Sequence, residues 1–293
     1  MIPEAIMREL RYIEVATARK MRTLRAGPFT SRRRGDGFDF DQLEPYRPGD
    51  DVRRIDWNVT ARLDEAFVRR THAERELTMV VAVDVSRSMD LGTSHRSKRE
   101  TMMLVTASLV FSAVATQVST GFVAFADHVI AWRAPRRGRA AAWAALEHCW
   151  SASGAPGRTA LAPAVRHLLG RLPRMSMVCL VSDFQTGEGL FGSPDLAMLA
   201  SRHDVIAVVP EDPFERELPQ GPGYVTVRDL ESGRRAALDL SAQTRRQYAE
   251  ESRLRRRALT RLFYRASIDH VFVPTDEASV EPLLALFASR VRA

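Results

Sequence analysis

The stretch "VVAVDVSRSMD", residues 80–90, decides how the rest of the sequence is interpreted. Its first half is an unbroken apolar run, which is typical of a parallel strand that is buried on both faces. The run ends at Asp84, and two hydroxyl side chains, Ser86 and Ser88, follow at alternate positions. A carboxylate and two serines at the end of a buried strand suit three chemistries: a nucleophilic aspartate, a nucleophilic serine, or a metal site.

Outward from this strand, strand-like and helix-like segments alternate along the chain. A helix is predicted near 97–118 and a buried strand at 120–126, and similar pairs continue to residue 209. A long charged helix is predicted at about 241–264, followed by a strand at 269–274 and a last helix at 277–290. This alternation predicts an α/β fold, with a Rossmann-like, mostly parallel sheet that is flanked by helices.

Two segments interrupt the alternation. Residues 28–76 are rich in Gly and Arg, and 210–240 contain a Pro- and Gly-rich loop followed by a hairpin signal at Ser232-Gly233. We expect the two segments to form a small β-rich subdomain. The predicted organisation is an N-terminal helix in 1–27, the β-rich segment 28–76, the α/β core with its site in 77–209, the loop and hairpin 210–240 packing on the β-rich segment, and the rest of the core in 241–293.

The composition is that of an ordinary soluble globular protein, with 293 residues of which 45% are hydrophobic and 27% charged. The net charge of +7 comes from arginine, because lysine occurs only at Lys20 and Lys98. Short arginine clusters lie at 32–34, 136–139 and 253–257, and no aromatic residues interleave them as a nucleic-acid stacking platform requires. We therefore interpret the arginines as a solvated surface and expect no nucleic-acid partner.

The sequence indicates a cytoplasmic protein. Residues 1–20 are charged throughout and lack the apolar core of a signal peptide. The uncharged stretch 101–126 is long enough to span a bilayer, but polar residues at 117–120 break it, so we predict a buried helix and strand instead. Cys149 and Cys179 lie in apolar surroundings and are predicted to be reduced core residues.

A second strand also ends in an acid, Asp183 in "CLVSDFQTG", and the loop "SGAPGRTAL" presents Thr159 just before a helix. Functional residues of open α/β sheets collect at the carboxyl edge of the strands, near a topological switch point. Five oxygen-bearing side chains are therefore expected to converge, with no His, Cys or Lys in these motifs: Asp84, Ser86, Ser88, Thr159 and Asp183. An all-oxygen set with two negative charges suits Mg²⁺, which is usually held by one or two carboxylates.

Other chemistries fit these motifs less well. A phosphatase of the aspartyl-phosphate type requires a second acid at position 86, which is Ser, and a serine nucleophile requires a base and a glycine-lined elbow. The phosphate-binding Gly-Lys loop is absent. Capping of a helix that starts near Ser94 explains the first motif but not the convergence. A Mg²⁺-dependent phosphohydrolase using Asp84 and Asp183, and a nucleic-acid-binding protein, stay as alternatives.

The five residues resemble the metal-ion-dependent adhesion site of von Willebrand factor type A domains. That site has the pattern Asp-x-Ser-x-Ser after the first strand, Thr in a later loop and Asp after the fourth strand. The segment "YRPGDDVRRIDW", residues 46–57, resembles a signature of the bacterial family catalogued as domain of unknown function 58. "EDPFERELP" at 211–219 and "SGRRAALDL" at 232–240 are also similar to that family. Many members carry two N-terminal transmembrane helices, and no such pattern occurs here.

The resemblance implies a non-enzymatic protein-interaction module. Family members are typically encoded beside MoxR-type AAA+ ATPases, which implies such an ATPase as partner and a role in the assembly, maturation or remodelling of protein complexes. It also implies Mg²⁺ or Mn²⁺, bound either by the free protein or only with its partner. A Glu or Asp of the partner or client would complete the metal shell.

The signature segment has two interpretations. Its charged residues are expected to form a salt-bridged latch that joins the β-rich segment to the sheet, with Ile55 and Trp57 buried. The alternative is a surface for a partner, which would more often display aromatic residues outward. The residues assigned to this latch are Tyr46, Arg47, Gly49, Asp50, Asp51, Arg53, Arg54, Asp56 and Trp57.

Overall fold

The computed structural model describes residues 2–23, 42–47, 50, 52, 55–63, 65–70, 77–155, 158–172, 175–185, 193–230, 232–276, 283, 285 and 286. The chain divides into two compact units: residues 1–32 with 77–293, and residues 33–76. The strands are β1 Gln42–Pro45, β2 Phe67–Arg70, β3 Thr78–Asp84, β4 Ser119–Phe125, β5 Val129–Arg136, β6 Met177–Val181, β7 Asp204–Glu211, β8 Tyr224–Arg228, β9 Arg235–Asp239 and β10 Asp269–Pro274. The helices are α1 Glu4–Thr23, α2 Trp57–Leu63, α3 Lys98–Ala115, α4 Arg139–Ala152, α5 Leu161–Arg171, α6 Pro194–Arg202, α7 Pro213–Arg216 and α8 Ala242–Arg265.

The larger unit is built on a six-stranded sheet with the order β10-β7-β6-β3-β4-β5. Every neighbouring pair is parallel except β4 with β5, which is antiparallel. The mostly parallel sheet flanked by helices is thus confirmed. Each predicted strand between 77 and 274 appears within a few residues of its predicted position.

The central strand β3 shows why its sequence is apolar without alternation. Met79, Val81 and Val83 belong to a core that includes residues of α1, α3 and α4. Val80 and Ala82 face the opposite core, which includes residues of α5, α6 and α8. Successive side chains of a strand point to opposite faces, so a strand covered on both sides is apolar at every position.

Helix α3 accounts for most of the uncharged stretch. It begins with a capping box, in which the Ser97 hydroxyl accepts from the Glu100 backbone N–H at 3.2 Å and the Glu100 carboxylate accepts from the Ser97 N–H at 2.8 Å. Its residues from Thr101 to Ala113 are all buried, and α1 packs against it. No helix in the described part of the chain has the length and apolar character needed to cross a membrane.

The predicted hairpin is present as β8 and β9, which pair antiparallel from Tyr224↔Asp239 to Arg228↔Arg235. Gly233 in its turn has φ of +71°, a conformation that glycine adopts without strain. Packing of this hairpin on residues 28–76 stays a prediction. Within the predicted last helix, 277–290, the described residues 283, 285 and 286 are helical.

In the smaller unit, β1 and β2 pair antiparallel, and the short helix α2 lies between them in sequence. Asp56 caps α2, because its carboxylate accepts from the Val59 N–H at 3.3 Å. The burial predicted for Trp57 is wrong: its side chain is 69% exposed on the first turn of α2, and Ile55 is half-buried in an isolated bridge with Val68.

The signature residues form local turns in the part of the segment that the structure describes. The Arg47 N–H donates to the Asp50 carboxylate at 3.0 Å, and the Asp50 N–H donates to the Arg47 carbonyl at 3.0 Å. Tyr46 donates its N–H to the Ala66 carbonyl at 2.6 Å. The salt-bridged latch stays a prediction, because four of its residues lie outside the described ranges: Gly49, Asp51, Arg53 and Arg54.

Candidate metal site

The candidate site lies at the edge of the sheet, at the point where the order of the strand connections reverses. The chain leaves β3 towards β4 on one side and later returns to β6 on the other side of β3, so the boundary between β3 and β6 is a topological switch point. Asp84 is the last residue of β3, and Asp183 follows β6 by two residues. Since β3 and β6 are parallel neighbours, both acids emerge at the same edge.

Three predicted hydroxyl groups meet at this edge. The Ser86 hydroxyl oxygen is 3.0 Å from that of Ser88 and 2.8 Å from that of Thr159. Ser86 is completely buried, and Thr159 is 4% exposed. Two backbone bonds dock the loop that carries Thr159: the Ala155 N–H donates to the Val85 carbonyl at 3.0 Å and the Ala160 N–H to the Ala126 carbonyl at 2.9 Å.

The two predicted carboxylates are buried beside these hydroxyls. Asp84 accepts from the Ser86 N–H at 3.0 Å through Oδ1 and from the Ser182 hydroxyl at 2.7 Å through Oδ2. Asp183 accepts from the Gln185 N–H at 3.0 Å, and a side-chain hydrogen bond links it to Ser88. The structure therefore brings all five sequence-predicted site residues together.

Helix capping does not explain the first motif. Ser86 precedes a short 3₁₀ turn, Arg87–Asp90, but its side chain makes no capping hydrogen bond there. The cap of α3 is Ser97, not a residue of the motif. The side chains of Ser86 and Ser88 are bonded to each other, and through them to Thr159 and Asp183.

A lysine from outside the predicted motifs joins these residues. The ammonium of Lys98, at the start of α3, lies 2.6 Å from Asp183 Oδ2 and 2.7 Å from Glu215 Oε1, and its side chain is 1% exposed. Sequence reasoning missed both Lys98 and Glu215. Two signals pointed to them: the rarity of lysine in an arginine-rich chain, and the segment "EDPFERELP", which was singled out only as a family likeness.

Glu215 reaches the site because of α7, a single turn where the sequence had predicted only a loop. Asp212 caps this turn, and Glu215 completes the capping box by accepting from the Asp212 N–H at 3.0 Å through Oε2. Its other oxygen, Oε1, faces Lys98 and accepts from the Gln185 side-chain amide. Helix α8 supports the turn, with the Tyr248 hydroxyl donating to the Phe214 carbonyl at 2.9 Å.

The charges at the site act on one another strongly. Burial, and then the charge of Asp183, raise the pKa of Asp84 to about 7. Burial also acts to raise the pKa of Asp183, but Lys98 outweighs it and the pKa is lowered. For Glu215 burial outweighs Lys98, and the charge of Asp183 acts in the same direction as burial, so the pKa is raised. Burial lowers the pKa of Lys98, yet its two acidic partners raise it overall.

The chemistry of the donor set fits Mg²⁺ or Mn²⁺. In the described ranges no group of three or more His, Cys, Asp and Glu side chains is placed to hold a metal ion, so a cation here depends on the hydroxyl oxygens. Hard divalent cations accept hydroxyl and carboxylate oxygens and keep several waters. A cation would also offset the cost of ionising the buried Asp84. The residues that would hold it are Asp84, Ser86, Ser88, Thr159 and Asp183.

The mostly parallel sheet and the helices on both of its faces give the chain a von Willebrand factor A-like α/β fold. Residues 42–258 match the family described as "Protein of unknown function DUF58". The chain belongs to this family.

Several known proteins are similar to the chain. Uncharacterised proteins of Mycobacterium bovis and Mycobacterium tuberculosis are each 30% identical over 286 residues, which covers 97% of this chain and 89% of theirs. The solved structure of BatB from Bacteroides thetaiotaomicron has a TM-score of 0.46 at 14% identity, covering 74% of this chain and 100% of that one. A von Willebrand factor type A protein from Catenulispora acidiphila has a TM-score of 0.40 at 14% identity, covering 74% and 42%. The likeness to these two solved structures, at 14% identity, concerns the fold alone.

Proposed function

We propose that this protein is a non-enzymatic interaction module that binds an acidic side chain of a partner through Mg²⁺ or Mn²⁺. The observation that carries the proposal is the junction of three chain segments at the switch point, where Ser86 and Thr159 lie 2.8 Å apart although 73 residues separate them. The metal would be held by Asp84, Ser86, Ser88, Thr159 and Asp183. A shell with so few charges leaves the cation electrophilic, so that a Glu or Asp from outside can complete it.

The partner that we propose is a MoxR-type AAA+ ATPase. This part of the proposal rests on the family, since the signature at 46–57 and the family match over 42–258 agree. The complex would act in the assembly, maturation or remodelling of other protein complexes, in the cytoplasm. The client would be a protein that presents a Glu or Asp to the metal.

A pull-down of the co-expressed ATPase tests this function. Capture should require Mg²⁺ or Mn²⁺, should be lost in EDTA, and should be lost with Asp84→Ala or Thr159→Ala. Asp90→Ala is a matched control, because this acid lies in the same loop but forms an ion pair with Arg99 and is not one of the proposed ligands. Capture by folded Asp84→Ala and Thr159→Ala variants at the wild-type level would show that the site does not bind the partner.

One observation favours a second candidate, a Mg²⁺-dependent phosphohydrolase using Asp84 and Asp183. A carboxyl group whose pKa lies at about 7 suits proton transfer at neutral pH. Hydrolysis of p-nitrophenyl phosphate with Mg²⁺ distinguishes the two functions. Turnover that disappears in Asp84→Asn would establish the hydrolase, and absence of turnover in a metal-loaded protein that captures its partner would establish the interaction module.

A further inference from the structure

Lys98 places a positively charged ammonium group at the candidate metal site. Its ammonium is bonded to Asp183, a proposed metal ligand, and to Glu215, which is not one. We propose that Lys98 is a tethered cation that competes with the divalent metal for Asp183, and that Glu215 is a positioning residue that holds Lys98 there. This inference rests on the proposed metal-dependent function and explains how strongly the site would bind its metal.

Lys98 and Asp183 are both buried. The side chain of Lys98 is 1% exposed and that of Asp183 is 2% exposed, so water contributes little to the solvation of either charge. A buried ammonium requires carboxylate partners, and Lys98 has two at hydrogen-bond distance. The ion group is therefore held together by strong mutual attraction in a site of low dielectric constant.

The ammonium of Lys98 would affect how the site binds a divalent metal ion. A dication bound by Asp183 and by the hydroxyl groups of the site would share the Asp183 carboxylate with the Lys98 ammonium. The two cations would therefore lie a few ångströms apart. Like charges at that separation repel strongly when water is excluded. In addition, the Lys98 ammonium already uses Asp183 Oδ2. Both effects weaken metal binding relative to a site that lacks the lysine.

Glu215 is held in place by its own turn, α7. Its Oε2 is engaged by the Asp212 N–H, and Ser252 of α8 donates to its backbone carbonyl at 2.6 Å. Asp212 is itself completely buried and accepts from the Thr93 N–H at 3.0 Å. Glu215 is thus positioned by α7 and α8 to face Lys98, and neutralising it would leave the ammonium less compensated beside the metal.

Titration of the full-length chain with Mn²⁺, followed by the loss of the free-ion EPR signal, tests the proposal. Lys98→Met alone would leave two buried carboxylates without a cation and endanger the fold, so the main variant is Lys98→Met with Glu215→Gln, which leaves the net charge unchanged. We expect this double variant to bind Mn²⁺ at least about tenfold more tightly than the wild type, and Glu215→Gln alone to bind at least about threefold more weakly. Arg216→Met, at the half-buried neighbouring position in α7 where the arginine pairs with Asp276 instead of with the site, is the control and should leave affinity unchanged.

The outcomes separate this proposal from the proposed function. If the wild type binds Mn²⁺ and Asp84→Ala abolishes binding, but the folded double variant binds no more tightly, then Lys98 does not compete with the metal and the adhesion-type site stands. If neither the wild type nor the double variant binds Mn²⁺, both proposals are wrong. Circular dichroism and thermal unfolding report whether each variant is folded.

A second measurement uses the wild-type protein and does not depend on any variant's folding. Lys98 and Lys20 are the only lysines, so ¹³C-lysine labelling gives two ε-carbon NMR signals, which Lys20→Arg assigns. Saturating Mg²⁺ should shift the Lys98 signal and leave that of Lys20 in place, because the metal disturbs only the Lys98–Asp183 pair. An unshifted Lys98 signal in protein that has bound Mg²⁺ in an Asp84-dependent manner would overturn the proposal.

Discussion

At the scale of single residues, Ser182 is as deeply engaged at the site as the residues that the sequence motifs contain. It is completely buried, its hydroxyl donates to Asp84 at 2.7 Å, and it accepts from the Phe184 N–H at 2.9 Å. Sequence analysis passed over it because Ser182 stands beside the more conspicuous Asp183. Its bond to Asp84 joins the ends of β3 and β6 across the switch point, and its bond from Phe184 is local to the segment that follows β6.

We expect Ser182→Ala to lower the free energy of unfolding by about 1–3 kcal/mol, because Oδ2 of the buried Asp84 and the Phe184 N–H each lose a hydrogen bond. Urea denaturation in EDTA measures this without interference from metal. Ser201→Ala is the control: Ser201 also bonds a nearby oxygen, the Met198 carbonyl, but lies at an exposed position, and its loss should change stability by less than about 0.5 kcal/mol. Equal effects of the two substitutions would contradict the role given to Ser182.

His203 makes stability depend on pH independently of the site. It is 3% exposed, its Nδ1 is buried without a hydrogen-bond partner in the described structure, and burial, followed by Arg202, lowers its pKa. A histidine whose pKa is depressed in the folded state contributes stability above its unfolded pKa of about 6.5 and loses that contribution as pH falls. His203→Asn should therefore flatten the fall in stability between about pH 7 and pH 5, measured by urea denaturation. Ser201→Ala, which removes no titratable group and lies at an exposed position, should leave the slope unchanged.

Residue-level prediction from sequence brought five oxygen-bearing residues to one edge of the sheet and missed Lys98 and Glu215. The successful residues end strands or precede a helix, so sheet topology alone brings them to one edge. Lys98 and Glu215 reach that edge from an α3 N-terminus and a one-turn helix, which are 85 and 32 residues from Asp183 in the numbering of the chain. No local sequence pattern indicates that residues so far apart in the chain come into contact.

At the scale of elements, long periodic segments were predictable and short ones were not. The predicted 97–118 helix and 241–264 helix correspond to α3 and α8, whose boundaries differ from prediction by a few residues. The one-turn α7 lies in a segment that was predicted to be a loop, and the seven-residue α2 lies in the segment that was predicted to be β-rich. Short helices have too little intrinsic stability to leave a periodic pattern, and the caps Asp212 and Asp56 together with tertiary contacts determine them.

The N-terminal helix α1 shows how an amphipathic pattern becomes a structural element. Leu10 is completely buried in the core on the α3 side of the sheet, together with Ile2 and Ile6. The opposite face of α1 is exposed and carries Tyr12 at 75% exposure. The helix therefore belongs to the α/β core and is not merely an appended segment.

We expect Leu10→Ala to lower the free energy of unfolding by about 2–5 kcal/mol, because it removes buried apolar volume and leaves a cavity. Tyr12→Ala, on the exposed face of the same helix, should change it by less than about 0.5 kcal/mol. Thermal or urea denaturation of both variants measures the difference. A Leu10→Ala variant as stable as the wild type would show that α1 does not contribute to the cooperative core.

At the scale of the whole molecule, the two cysteines report on opening of the core. Cys149 and Cys179 are both reduced and completely buried, as the sequence predicted, and burial raises the pKa of Cys149 to about 12. A thiol in this state is neither accessible nor ionised, so it cannot react with a thiol reagent in the native protein. Reaction therefore requires unfolding that exposes the core.

Because the thiols react only after unfolding, their rate of reaction reports whether a bound metal ion has stabilised the native state. A cation that binds only the native state stabilises it by RT ln(1 + [L]/Kd), about 2.7 kcal/mol at a concentration of 100 Kd. When opening is at equilibrium, Mg²⁺ at that concentration should slow the reaction of both thiols with DTNB about a hundredfold, and Asp84→Ala should remove this protection. Labelling that is fast in the native protein would instead indicate local opening, and protection that persists in folded Asp84→Ala would place the metal away from the switch point.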